Sequence, residues 1–467
     1  MNCSLLRFFS LSASLSIVLS LLVAACSGGE SGTGFGGSHP KVSVGVITGF
    51  GSVFVNGVEF DTSRAEINVN EAIASEEDLA IGMVVSVVGS TDPFQVSGSA
   101  DAIYYESEVC GIVNQNDQPD QLEIMGQTVK YDSETVFDSS IDTVASVAEI
   151  PVGAVVEITG YRTGDNSLHA TQITLLQSQY NDGEQLIVNG VVTAGVSSGK
   201  FSMGTLTVVV DDVTQFINLP NNQITPGMAI KVKSKRGLVN TNELLADQIQ
   251  LNKNQYVVAG NVLEVEGIVM NPNLQANEFQ LNGYTVYFSA QTRFVDGAED
   301  NLADGVKVEV EGVLLSDNQL EAGEITFRKS AKIDLIAPVT SINIADNQVN
   351  LSGVNVRLTN RTLLKDDDRI TKIRKFSLED LSDGDRVKIK AFRDNLTQQI
   401  IAIQFRRVEA QSADSTFEIT GILDELNNAQ AIIAGVAVDT AGLSPVLTNA
   451  DVGTDVTVVG TIPISTQ

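Results

Sequence analysis

Side chains suited to nucleophilic or metal chemistry are scarce in this chain, which holds three Cys and two His in 467 residues. Gly195-Val196-Ser197-Ser198-Gly199 spells G-x-S-x-G literally. A nucleophile elbow needs a strand–turn–helix setting and a His downstream of the Ser. These residues read as a β-turn, and both histidines, His39 and His169, precede them. The adjoining Gly199-Lys200 lacks the spacing of a phosphate-cradling loop. Two His in separate regions do not build a His-based metal site. Acidic runs at Asp211-Asp212, 296–304 and Asp366-Asp367-Asp368 miss the alternating ligand positions of a helix–loop–helix Ca²⁺ site. They read as solvated loops, with weak Ca²⁺ binding as the alternative. Paired carboxylates for sugar hydrolysis want flanking aromatics, and Trp is absent. The expectation is a protein that is not an enzyme, with no cofactor, no catalytic residue and no metal site.

The clearest chemical signal is Cys26. Arg7 precedes an apolar run from Phe8 to Leu22, and Val23-Ala24-Ala25 places small residues before the Cys. That order is a secretory signal with its cleavage site at Val23, Ala24 and Ala25. The pattern resembles a bacterial lipobox, which implies cleavage before Cys26 and acylation of its thiol. Ser27 follows instead of Asp, which by resemblance to Gram-negative sorting rules implies the outer membrane. Several acyl chains on one residue anchor firmly, each buried CH₂ adding roughly 0.8 kcal/mol. Residues 27–40 are Gly- and Ser-rich, a flexible tether with a reach of roughly 20 Å. With Cys3 removed and Cys26 lipidated, Cys110 is expected to stand alone, a small hydrophobe in an apolar strand start.

Net charge is −29, a field that repels phosphate backbones and excludes nucleic acid as a partner. One region departs from it. Between Arg328 and Ala410 stand 16 Lys/Arg against 11 Asp/Glu. Within it Arg369, Lys372, Arg374 and Lys375 offer a basic face for an anionic surface; pairing with neighbouring acidic units is the alternative.

The elements that must position these residues are written six times. A Gly opens each copy of one strand, Val or Ile follows at three and five, and a small residue at seven. The copies run from Gly82/Val85/Val87/Gly89 through Gly305/Val308/Val310/Gly312 to Gly453/Val456/Val458/Gly460. Such alternation predicts a strand with one face in a core and one in water. The opening Gly predicts a tight turn and the closing small residue a close backbone approach. Asn56-Gly57 and Asn282-Gly283 predict type I′ hairpins. A Thr recurs at 135, 214, 292 and 362, and a closing Ala at 100, 170, 246, 322 and 402. Pro338 in the fifth copy predicts a weakened or edge strand.

About five short strands in each copy predict an all-β chain of six tandem small antiparallel β-barrels, OB-like in type. Immunoglobulin-like sandwiches are the alternative. The expected organisation is a signal peptide (1–25), a tether (26–41) and six repeats: 42–107, 108–178, 186–253, 262–329, 333–409 and 416–467. The sixth repeat is expected to lack its closing strand and expose an edge.

The stretch from Ile47-Thr48-Gly49-Phe50-Gly51 to Thr62-Ser63, the pattern from Leu79 to Gly89, the lipobox and the tether are together similar to a bacterial domain-of-unknown-function family. That family occurs as tandem small β-barrels in Gram-negative lipoproteins. The resemblance implies fold and cell-envelope location and carries no activity. The expected function is a non-enzymatic outer-membrane lipoprotein, acting as a spacer or protein-interaction array and meeting the membrane through its N-terminal lipid and proteins in the envelope. A carbohydrate- or small-ligand-binding barrel array is the alternative.

Overall fold

The computed structural model describes residues 41–461 and 465–466, except 93, 142, 241, 253–258 and 428. Its strands fall into six groups, spanning 41–105, 109–177, 186–251, 262–327, 333–409 and 417–466, called barrels 1 to 6 below. No α-helix occurs among the described residues; the connections before the Val-x-Val strands hold single 3-10 turns such as Glu299–Asn301.

Barrel 4 shows the plan. Its opening strand Val262–Ile268 pairs antiparallel with Lys307–Ser316, which pairs antiparallel with the closing strand Gln319–Phe327. The hairpin Glu278–Leu281/Tyr284–Tyr287 returns to the closing strand in parallel. The order opening, hairpin, hairpin, closing, Val-x-Val, opening is that of a five-stranded OB-type barrel. It is mixed rather than purely antiparallel, because the short crossover after the hairpin brings the last strand in beside it with the same direction.

Local chemistry accounts for this regularity. Asn282 and Gly283 both have positive φ, 47° and 84°, as a type I′ turn requires. Gly305 turns the chain at φ +87°, and a Cβ at Gly312 would lie 2.0 Å from the carbonyl oxygen of Glu321, beside the register shift between Glu311 and Gly312. Val308 and Val310 between them are fully buried, each contributing about 1.5–3 kcal/mol of transfer free energy. The recurring Thr and the closing Ala are partners. The hydroxyls of Thr135, Thr214, Thr292 and Thr362 donate to the carbonyls of Ala170, Ala246, Ala322 and Ala402 at 2.8, 2.9, 2.8 and 2.8 Å. Each bond pins the crossover segment against the closing strand.

The barrels do not hang as separate beads. Opening strands pair across barrels: Lys41–Val44 with Val262–Val265 in parallel, Val109-Cys110 with Ile187-Val188, and Asp334–Ile336 with Glu418–Thr420. Barrel 1 thus joins barrel 4, barrel 2 joins 3, and barrel 5 joins 6. One continuous core serves barrels 2 and 3, and another barrels 5 and 6. The core of barrel 4 takes in Val42 and Val44 of barrel 1.

Two expectations need correction. In barrels 3, 4 and 5 the outward face of the Val-x-Val strand does not lie in water: Lys231, Glu309 and Lys390 are 3%, 6% and 5% exposed, because neighbouring barrels or strands cover them, whereas in barrel 6 Thr457 and Val459 are exposed as expected. Pro338 does not sit on an edge. It ends the ladder that Ile333 opens opposite Ala391 and that closes with Pro338 opposite Arg386, inside a strand that pairs on its other side with Glu418–Thr420 and runs on to Asn343. Cys110 is fully buried against Val155, Leu176 and Ile187, in the apolar strand start its neighbours predict. In barrel 6 the strand Asp455–Gly460 pairs with Phe417–Ile422 on one side and makes a single bridge, Ser444 to Val459, on the other.

The Thr–Ala bond gives a direct test. Thr292→Val should lower stability by about 1–3 kcal/mol, since a buried carbonyl loses its donor. Thr292→Ser should stay near the parent in urea unfolding. Equal stability of the Val variant and the parent contradicts the assignment.

Candidate binding cleft at the four-barrel junction

The residues singled out from the sequence fall in two places. Val23, Ala24, Ala25 and Cys26 lie outside the described residues. The basic stretch lies at an interface, where Arg374 stacks on the Phe50 ring of barrel 1 at 4.1 Å and donates to the Leu79 carbonyl at 3.0 Å. Lys375 pairs with Glu76 at 3.0 Å and Lys372 with Asp138 at 3.5 Å. Arg369 interacts through space with Glu149 of barrel 2. The basic stretch of barrel 5 is therefore engaged by carboxylates of barrels 1 and 2. The acidic triplet is equally occupied. Asp366 binds the Arg407 guanidinium at 2.5 Å, Asp367 pairs with Lys365 at 3.0 Å, and backbone amides of Thr371 and Ala410 hold the Asp368 carboxyl down to about 2. The G-x-S-x-G run forms a hairpin between Ala194–Ser197 and Lys200–Met203.

The charged centre of the molecule was not singled out. In barrel 4 the alternation that sends Val265 and Val310 inward sends Glu264, Glu266, Glu309 and Glu311 outward. The ladder sets Glu264 opposite Glu311 and Glu266 opposite Glu309. Like charges directly opposed repel, so this face exists only with cations upon it. Lys41 of barrel 1 lies 3.3 Å from Glu264, and Ser43 donates to Glu264 at 2.7 Å. Lys307 and Arg328 reach Glu266 at 2.9 and 2.8 Å, and Arg328 also bonds Glu309. Arg361 of barrel 5 grips Glu309 with both terminal nitrogens, at 2.8 and 3.1 Å. Tyr161 of barrel 2 donates its hydroxyl to Glu266 at 3.0 Å. Barrels 1, 2 and 5 thus meet on one face of barrel 4. The repeated E-V-E in both strands of one copy was the signal available in the sequence.

The two central carboxyls respond oppositely. Burial pushes Glu266 up, but Lys307 and Arg328 outweigh it and hold the group down at about 2. Burial and then the charge of Glu309 push Glu264 up to about 7, against the pull of Lys41.

Beside this cluster the four barrels leave a cleft of about 790 Å³, within the usual range for small-molecule sites. Barrel 2 supplies a polar wall with His169, Asp132, Thr163 and Thr171. Barrels 1, 4 and 5 supply Val46, Val306, Phe392, Ile401 and Ile403, all half-buried. His169 Nε2 lies 3.2 Å from Asp132. Burial pushes the Asp132 carboxyl up, but the hydrogen bond from His169 and the Glu134 amide hold it below its ordinary range.

Fold and cleft together define an all-β protein of OB-type barrels packed around a shared cavity. Residues 111–174, 189–250, 266–326 and 337–403 match the family described as Domain of unknown function (DUF5666), together just over half of the chain. The protein belongs to that family. The matches fall in barrels 2 to 5; barrel 1, which carries the 47–63 stretch, lies outside them. No curated protein matches the chain.

Two outcomes follow from the charge cluster. Arg328→Met strands Glu266 and Glu309 with too few cations, and should cost about 3–5 kcal/mol. Adding Glu309→Gln should recover part of that loss in denaturant unfolding. For Glu264 the folded carboxyl takes up its proton more readily than the unfolded one, whose value is the ordinary 4.5. Its contribution to stability is therefore present at acidic pH and declines as pH rises from about 4.5 towards 7. Thermal unfolding midpoints between pH 5.5 and 7.5 should fall more steeply in the parent than in Glu264→Gln; parallel profiles contradict the assignment.

Proposed function

We propose that this protein is a lipid-anchored, outer-membrane binding protein that holds a small ligand in the cleft between barrels 1, 2, 4 and 5, without turning it over. The observation that carries the reading is the convergence on one cavity of side chains from four separate repeats. A chain of independent spacers needs no such convergence. Pairing of opening strands across barrels favours a single body over an extended string. The anchor rests on the run ending at Val23-Ala24-Ala25-Cys26 and on the tether after it. The charge of −29 disfavours nucleic acid as the ligand.

A protein-interaction array is the second reading. Its support is the strand Asp455–Gly460, whose outer edge makes one bridge among the described residues.

Two measurements test the first reading. Cys26→Ser should abolish incorporation of labelled palmitate and release the protein from the membrane fraction; continued labelling removes the anchor. Native mass spectrometry of the intact protein, gently extracted from envelopes, should show a bound small molecule. Ile403→Arg, which fills the cleft with a cation, should lose it. Identical spectra from parent and variant contradict a ligand in this cavity.

A further inference from the structure

The closing strands show where the cleft acquires its specificity. On either side of the closing Ala stand Ser99 and Asp101 in barrel 1, His169 and Thr171 in barrel 2, Leu245 and Asp247 in barrel 3, and Glu321 and Gly323 in barrel 4. These flanking positions point away from their own barrel, since the Ala points in. Barrel 5 alone among these five places two isoleucines there, Ile401 and Ile403, flanking the buried Ala402. Both line the cleft and both are half-buried. Phe392, half-buried on the adjoining strand Arg386–Arg393, extends the same apolar surface. Three apolar side chains gathered on the outside of one barrel and left half-buried within a cavity are a surface shaped for an apolar guest.

The polar side of the same cavity has an unusual sign. The whole chain carries two acids for every base, 58 against 29. The cleft is lined by four of each: Lys307, Arg328, Lys329 and Arg361 with Asp132, Glu134, Glu266 and Asp296. The chain of charges from Lys307 through Glu266, Arg328 and Glu309 to Arg361 ends in its two most exposed members, with side chains 38% and 46% exposed. Arg361 spends two of its five N–H donors on Glu309. It therefore retains donors for a second anion without releasing the first.

Resting on the cleft reading above, we infer that the ligand is an amphiphile: an apolar chain that lies against Ile401, Ile403 and Phe392 and ends in a single anionic group received by Arg361 and Lys307. A free fatty acid and an acidic lipid fragment share this chemistry.

The test uses the whole chain carrying Cys26→Ser, so that all six barrels are kept and no detergent is required. Octanoate, octyl phosphate, octyl glucoside, acetate and maltotriose are titrated calorimetrically. Octanoate or octyl phosphate should bind saturably at one site, whichever is tighter identifying the head group, with octyl glucoside at least tenfold weaker and acetate silent. Arg361→Gln and, separately, Lys307→Gln should each weaken the anionic amphiphile about tenfold and leave octyl glucoside unchanged, the retained octyl glucoside site showing that the cleft is still formed. Ile403→Asn should weaken every amphiphile. Equal binding of charged and neutral amphiphiles, or no saturable binding of either anion, overturns the inference. If maltotriose binds instead and Ile403→Asn blocks it, the cleft reading survives and the amphiphile does not. Binding unaffected by all three substitutions places the site elsewhere, and both fall.

Discussion

Four glutamates stand on the outward face of barrel 4, opposed in pairs across one ladder, and the arrangement of the other barrels follows from them. Such a face cannot be left bare out of water, nor covered by apolar side chains, without a large desolvation cost. It is covered by the groups that neutralise it: Lys41 from barrel 1, Arg361 from barrel 5, Arg328 and Lys307 from barrel 4 itself, with the Tyr161 hydroxyl from barrel 2. Because these partners arrive from three neighbours, satisfying one patch fixes four units at once. The cleft is what remains where four rounded bodies meet around a charged seam.

The same device recurs with opposite sign in barrel 3. Lys231 and Lys233 stand outward and reach Glu71 of barrel 1 at 3.0 and 2.6 Å. Between barrels 5 and 2, Lys365 meets Asp138 at 2.8 Å. Each barrel is thus specified by its inner residues and addressed by its outer ones. Inner residues are nearly interchangeable from copy to copy, so any barrel would fold like any other. Outer residues differ, and their charges distinguish one neighbour from another. Here the ion pairs serve placement more than net stability, as is common when charges are paired out of water.

Much of the barrel was legible in the sequence, for local reasons. The positive φ of Asn282 and Gly283 and the close approach at Gly312 are backbone demands that few residue types meet, so the residues announce them. The spacing of Thr292 and Ala322 was visible, though the hydrogen bond between them was not, since register decides it. Assembly of the barrels was hidden for a different reason. Alternation shows which residues turn away from a core but not whether water or another barrel receives them, so Glu309 read as solvated when Arg328 and Arg361 cover it. The parallel pairing of Lys41–Val44 with Val262–Val265 joins segments some 220 residues apart, beyond the reach of any local pattern. The basic stretch was visible as a charge excess, and only the fold reveals that Glu76 and Asp138 receive it. Ile401 and Ile403 carried a readable signal, as departures from the other copies at equivalent positions.

The central claim is that charge on the outer face of barrel 4 gathers the barrels into one body. Small-angle scattering tests it most directly. A compact body of this length has a radius of gyration of about 22 Å, to which the tether adds a little. The parent should lie near that value, and Glu309→Lys, which sets a third cation against Arg328 and Arg361, should expand it measurably while circular dichroism still reports folded barrels. A parent that scatters as an extended string, or a Glu309→Lys variant as compact as the parent, contradicts the account.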